Sequence, residues 1–128
     1  MSVRLSRTQA RAWGVTAKAM RQPKSTRADG YDSQLEADYA TYLERDEAVR
    51  RWVYHPWQFL LVPGKKPVRY TPDFLVFRVV GPPQIVEVKG YWRTADRIRI
   101  KLCASRYPEF QVLGVTRLNR LWQYESFS

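Results

Sequence analysis

Two runs of sequence joined by a breaker, Tyr70-Thr71-Pro72-Asp73-Phe74-Leu75-Val76-Phe77-Arg78-Val79-Val80 and Gln84-Ile85-Val86-Glu87-Val88-Lys89 on either side of Gly81-Pro82-Pro83, decide the fold. Both runs are rich in β-branched and aromatic residues, so they predict two antiparallel strands around a turn. Along a strand, side chains at i and i+2 share a face about 6.6 Å apart. Glu87 and Lys89 therefore project together while Val86 and Val88 face the core. Asp73, just after Pro72, reaches the same face from the start of the preceding strand.

Upstream, Leu35, Tyr39, Tyr42 and Leu43 repeat at helical spacing between Asp32 and Trp52, with Asp32 and Ser33 as candidate N-caps. Val53 to Val62 reads as extended, although Pro56 argues against a central strand. Pro63-Gly64 ends that run, and the basic connector Lys65-Lys66-Pro67 follows. Downstream of Gly90, Thr94 is a candidate N-cap and Asp96 sits in a first helical turn. Ala95, Ile98 and Leu102 share a face until Pro108. Phe110 to Thr116 is a short apolar strand, and the chain from Lys89 to it is long enough for a helical crossover between parallel strands. Leu121 to Phe127 offers an additional edge strand. The predicted class is α/β, with an antiparallel meander plus a parallel strand in one mixed central sheet, flanked by helices in the order α-β-β-β-α-β.

At 128 residues and 45% apolar, the chain is long enough for one core and too short for two ordinary domains. Lys and Arg number 22 against 12 Asp and Glu, a formal charge of +10 that calls for a polyanionic partner. Nucleic acid fits better than a membrane, since no apolar run approaches the roughly 18 residues needed to span lipid. The basic N-terminus has no apolar signal core after it, so the expected location is cytoplasmic. Residues 1–30 read as a basic arm carrying Arg4, Arg7, Arg11, Lys18 and Arg21, and residues 31–128 as the folded domain. The arm is either a phosphate-binding element or a solvated tail. Cys103 is alone, so no intramolecular disulfide is available, and its helical surroundings suit a small buried side chain. His55 is the only histidine; a Ser-His-Asp triad would have to be built around it, and there is no Cys/His cluster for zinc.

Hydrolysis of a phosphodiester needs a divalent cation, an activated water and a fixed positive group near the attacking or leaving oxygen. Asp73 and Glu87 are hard oxygen ligands suited to Mg²⁺ or Mn²⁺, and the Val88 backbone carbonyl offers a further one. Lys89 would orient or help deprotonate the water, or stabilise charge. Glu-x-Lys alone is commonly a solvated strand face; the longer string Tyr70-Thr71-Pro72-Asp73-Phe74 with Glu87-Val88-Lys89-Gly90, between flanks too apolar for a sheet edge, is what points to chemistry.

On these residues the sequence resembles the PD-(D/E)XK nuclease superfamily, and within it the phage endonuclease I type of Holliday junction resolvase. The likeness extends to Trp92, Asp96, Arg97 and Pro108-Glu109, and upstream to Tyr31-x-Ser33-x-Leu35-Glu36, so that it covers roughly residues 31 to 116. It implies a restriction-endonuclease-like core, Mg²⁺ dependence with Mn²⁺ as a substitute, and recognition of branched DNA by shape, in a bacterial or phage-infected host cell. It also implies that Glu36 completes the metal site. Read from the residues alone, Ser33-x-x-Glu36 is equally a capping box. One departure concerns spacing: four more residues separate Asp73 from Glu87 than the endonuclease I pattern has. For the two to be cross-strand neighbours the turn must centre near Val80, so either Val79-Val80 enters the turn or one strand is bulged.

Arg93, Arg97 and Lys101 recur every four residues along the second helix, as a DNA-phosphate face or a merely solvated one, with Asp96 able to pair with a neighbouring Arg. Trp52, Trp57 and Trp122 are assigned to packing, whereas Tyr91 and Trp92 either border the substrate or pack. Symmetric cutting of a junction implies a homodimer. In the endonuclease I type the halves are exchanged, which would put Glu36 with the Asp73, Glu87 and Lys89 of a second copy and the crossing near Pro63 to Arg69; Pro63-Gly64 suits a closed turn within one subunit equally well. The alternatives are another task within the superfamily, such as transposon-end nicking or replication and repair, and a non-enzymatic basic DNA-binding protein.

Overall fold

A computed structural model describes residues 30–128, so Arg4, Arg7, Arg11, Lys18 and Arg21 of the basic arm lie outside the described residues. Helix α1 spans Gln34–Arg45 and is capped by Ser33, whose hydroxyl accepts from the Glu36 amide at 3.1 Å. Tyr39, Ala40 and Leu43 carry its buried face. The helix does not run on to Trp52. The Asp46 amide bonds back to the Leu43 carbonyl and its carboxylate accepts from the Ala48 amide at 2.9 Å, which ends the helix. Strand β1 then covers Val49–Tyr54 with Val49, Trp52 and Tyr54 buried. Its β-branched and aromatic residues fit a half-buried pleat better than a helix.

Strands β2 (Phe59–Val62) and β3 (Val68–Tyr70) form a separate antiparallel hairpin closed within the chain. The strand expected over Tyr70 to Val80 is split, because Pro72 has no N–H to give a ladder and disfavours helical geometry at Thr71. Tyr70 ends β3, and β4 begins only at Phe74 and runs to Arg78. Strand β5 (Gln84–Val88) follows, then helix α2 (Thr94–Arg106), strand β6 (Gln111–Leu118) and strand β7 (Leu121–Ser126). The main sheet has the order β1-β4-β5-β6-β7. Its β5–β6 pair is parallel and bridged by α2, and its other pairs are antiparallel. The chain is thus α/β with a mixed sheet and two helices. The order α-β-β-β-α-β is present in the main sheet, with the β2–β3 hairpin inserted and β7 added at the edge. Asn119 and Arg120, at φ 51° and 65°, make the tight β6–β7 connection.

Phe74 pairs with Val86 and Val76 with Gln84, and Val79 and Val80 are 58% and 83% exposed. Val79-Val80 therefore enter the turn, and the register carried one step further sets Asp73 opposite Glu87. Strand β5 is buried along its whole length, as a central strand must be. Phe74, Val76, Val86, Val88, Leu113 and Val115 pack with the α1 face. Leu75, Ile85 and Val112 pack on the other side with Phe59, Leu61 and Tyr70 of the hairpin and Ile100 and Cys103 of α2.

Helix α2 is rotated from the expected orientation. Ile98 and Leu102 are exposed, as is Ala95, whereas Ile100 and Cys103 are buried. Cys103 lies in the core as anticipated; Ile100 beside it, together with a Tyr107 hydroxyl that donates to the Leu60 carbonyl at 2.8 Å, fixes this rotation and turns Asp96 toward β5. Thr94 is the first helical residue, not the cap. The N-cap is Arg93, whose amide donates to Asp96 Oδ2 at 3.1 Å. Trp52 is buried, and Trp57 and Trp122 pack against the core. Trp92 packs too: its ring covers Gly114, where a Cβ would come within 2.7 Å of it, while Tyr91 is 78% exposed. Among the described residues no helix is long and apolar enough to cross a membrane.

Candidate functional site

Where β4 begins and β5 ends, the sheet opens into a cavity of about 420 Å³ lined by Asp73, Glu87 and Lys89 together with Asp32, His55, Arg69, Tyr70, Thr71, Asp96, Arg99 and Ile100. The Val88 amide donates to Asp73 Oδ2 at 2.8 Å, so a side-chain carboxylate accepts the bond beyond the last pair of the β4–β5 ladder. The ladder ends at Phe74–Val86, and Pro72, before β4, has no N–H to offer the Val88 carbonyl. Tyr70 donates its hydroxyl to Glu87 Oε2 at 2.9 Å. Lys89 Nζ stands 3.9 Å from Asp96 Oδ1, an ion pair that the rotation of α2 makes available.

Glu36 does not line the cavity but meets it through His55, whose Nε2 lies 3.8 Å from Glu36 Oε1, 3.8 Å from Asp73 Oδ1 and 3.6 Å from Asp32 Oδ2. Ser33 caps the helix, but Glu36 returns a bond to the Ser33 hydroxyl and not to its amide, so only half of the expected capping box forms. One carboxylate oxygen, Oε2, accepts from the Ser33 hydroxyl of the cap at 2.8 Å; the other, Oε1, accepts from the Tyr54 hydroxyl at 3.1 Å and faces the site. Within one chain, Glu36 and Asp73 both approach the His55 imidazole, each with a carboxylate oxygen 3.8 Å from Nε2.

Burial pushes the Glu87 carboxyl well above its ordinary value, and the neighbouring Asp73 charge adds to this. Burial raises Asp73 as well, with the Glu36 charge acting in the same direction. Burial alone would raise Glu36 too, but the His55 imidazole at 3.8 Å, the Ser33 hydroxyl, the neighbouring Asp73 and the Tyr54 hydroxyl outweigh it and hold the group down at about 2. For His55, burial would lower the value; the Asp73 and Glu36 carboxylates, each 3.8 Å away, and the Asp32 charge instead lift it to about 9. Several carboxylates thus crowd one half-buried spot, and each ionised group there makes the next more costly. A divalent cation relieves such crowding, and the donors present suit one: Asp73, Glu87 and the Val88 carbonyl are all hard oxygens. A further group able to hold a metal is Asp32, Glu36 and His55, whose ligand atoms all lie within 4.8 Å of one another.

The expected cationic stripe is not what faces this cavity. Arg97 is tied to Glu125 at 2.7 Å and lies over the Trp92 and Phe127 rings, and neither Arg93 nor Lys101 lines the opening. Besides Lys89, the cations that do are Arg69 of β3 and Arg99 of α2. Rotation of α2 exchanges one helical face for the other, which a charge count along the helix could not reveal. His55 and Asp32 were equally invisible as site residues. A lone histidine carries no spacing pattern.

A family model described as "Protein of unknown function (DUF1064)" matches residues 22–123. No curated protein and no solved structure matches the chain.

Proposed function

The chain belongs to the DUF1064 family, and from the geometry of its site we propose that it is a metal-dependent DNA endonuclease of restriction-endonuclease-like fold. The observation that carries this reading is the meeting of Asp73 and Glu87 at the open end of adjacent strands, with Lys89 two residues further on, in a cavity flanked by Arg69 and Arg99. The order of elements in the main sheet supports it, as does the charge of +10.

Asp73, Glu87 and the Val88 carbonyl would hold Mg²⁺ or Mn²⁺, with Glu36 close by. When bound, the ion supplies charge neutralisation at the phosphoryl oxygens and makes water more acidic. The chain's own residues supply position. The Val88 amide fixes Asp73, the Tyr70 hydroxyl fixes Glu87, and Asp96 holds the Lys89 ammonium at the cavity, where it orients a water or stabilises the leaving oxygen. Arg69 and Arg99 are placed to hold phosphates on either side of the scissile one.

The likeness to endonuclease I type resolvases favours branched DNA as substrate and a homodimer as the acting form, so that two cuts are made symmetrically. The test is cleavage by purified protein with Mg²⁺ on a four-way junction and on a linear duplex, beside Glu87→Gln. The junction should be cut in preference, and Glu87→Gln should bind it without cutting. Equal rates on both substrates would remove the branched-DNA claim. Binding without cleavage by the native chain would leave a DNA-binding protein and no enzyme.

A further inference from the structure

His55 is the only histidine of the chain, and the backbone takes up a left-handed φ of 46° to present it. For a residue with a Cβ that conformation is uncommon. The His55 amide donates to the Asp73 carbonyl at 2.9 Å, which anchors it against the start of β4. One neighbour, Tyr54, organises everything around the imidazole. Its ring stacks on the His55 ring at 3.9 Å, its hydroxyl accepts from the Asp32 amide at 3.0 Å, and the same hydroxyl donates to Glu36 Oε1 at 3.1 Å. A buried phenol thus positions three residues brought together from the turn before α1, from α1 itself and from the end of β1.

We propose that Asp32, Glu36 and His55 form a second divalent-cation site beside Asp73 and Glu87, one that prefers Mn²⁺ or another first-row transition ion to Mg²⁺. Its donor atoms all lie within 4.8 Å of one another, close enough to share one ion after small movements of exposed Asp32. Tyr54 is an outer partner for two of the ligands, bonding the Glu36 carboxylate and stacking on the His55 ring, while at Asp32 it holds the backbone amide and leaves the carboxylate free to move. The preference follows from the donors. Mg²⁺ favours oxygen and gives up water reluctantly, whereas imidazole nitrogen suits transition ions. The neighbouring Asp73 and Glu87 pair is all oxygen, so the two sites would differ in selectivity. Asp73, 3.8 Å from the imidazole, lies between them. The inference rests on the metal-dependent reading for its neighbour, but two of its donors, Asp32 and His55, take no part in the neighbouring set.

The test uses untagged full-length protein, Mn²⁺ as the probe and electron paramagnetic resonance as the readout. Native protein should bind two Mn²⁺ per chain, and pulsed spectra should show coupling to an imidazole nitrogen, which only His55 can supply. His55→Asn should abolish the coupling and one equivalent of Mn²⁺. Asp32→Asn, at an exposed position, should weaken that same equivalent by about tenfold or more. Glu87→Gln should lose the other ion and keep the nitrogen coupling. Saturation at one Mn²⁺ without nitrogen coupling overturns the proposal and leaves His55 as an internal counter-charge to the carboxylates. Two bound Mn²⁺ with nitrogen coupling but no DNA cleavage would uphold this site while removing the nuclease reading.

Discussion

Asp73 stands opposite Glu87, one step beyond the Phe74–Val86 pair, and each carboxylate is held by a donor the other does not share: the Val88 amide for Asp73, the Tyr70 hydroxyl for Glu87. The proposed chemistry requires both carboxylates and the lysine that follows them. Glu87→Gln, Asp73→Asn and Lys89→Ala should each lower cleavage at saturating Mg²⁺ by about 100-fold or more. Single-turnover cleavage of a labelled junction measures this. Loss below tenfold for any of the three removes that residue from the reacting set.

Tyr70→Phe keeps the ring in the core and deletes only the hydroxyl that donates to Glu87. An outer partner of this kind typically governs about 10–100-fold of metal affinity. Mn²⁺ affinity should therefore fall within that range while the far-ultraviolet circular dichroism stays unchanged. Calorimetric titration of Mn²⁺ into both proteins checks it, and equal affinities would assign the hydroxyl to packing alone.

In EDTA the site should make stability depend on pH in a definite direction. His55 titrates near 9 in the folded chain against 6.5 in its ordinary state, so its contribution is complete below 6.5 and is lost as pH rises through 9. Asp73 and Glu87 are raised, and their ionisation also works against the fold as pH rises. Glu36 acts oppositely: its contribution is present above 4.5 and is lost as pH falls toward 2. Thermal melting in EDTA should show Tm declining from pH 6.5 to 9, and His55→Gln should flatten that decline. Mg²⁺ or Mn²⁺ should raise Tm most at the alkaline end. A Tm that rises across this window would contradict the assignment.

Arg99 lines the cavity, while Arg97 is committed to Glu125 and to two aromatic rings. Arg99→Ala should weaken DNA binding and reduce the slope of log affinity against log salt by about one. Arg97→Ala should change that slope less. Fluorescence anisotropy titrations over a range of salt concentrations distinguish the two, and the reverse ranking would return the DNA face to the opposite side of α2.

A methyl group at Gly114 would meet the Trp92 and Phe127 rings at 2.7 and 2.8 Å. Both rings must move for Gly114→Ala to fold, at a cost of about 1–3 kcal/mol for an overpacked site. Urea unfolding measures it. An unchanged midpoint would mean that the aromatic cover over β6 yields freely.

The local rules were legible because they depend on neighbours in sequence. Pro72 before Asp73, a β-branched run around Glu87, Ser33 ahead of Glu36 and Gly-Pro-Pro between two strands each act within a few residues, and together they determined an α/β chain with a mixed sheet and the meeting of Asp73, Glu87 and Lys89 on one face. The end of α1 at Arg45 escaped because a helical period and a strand pattern overlap there, and burial of Trp52 in the sheet decided between them. What only tertiary structure decided is the rotation of α2 and the path of the chain at His55. The first was set by which residues, Ile100 and Cys103, found a core to fill; the second by a phenol at Tyr54 able to bind Asp32, Glu36 and the imidazole at once. Such choices depend on groups distant in sequence competing for the same buried space, so Arg99 took the place expected of Arg97, and a solitary histidine came to stand among three carboxylates.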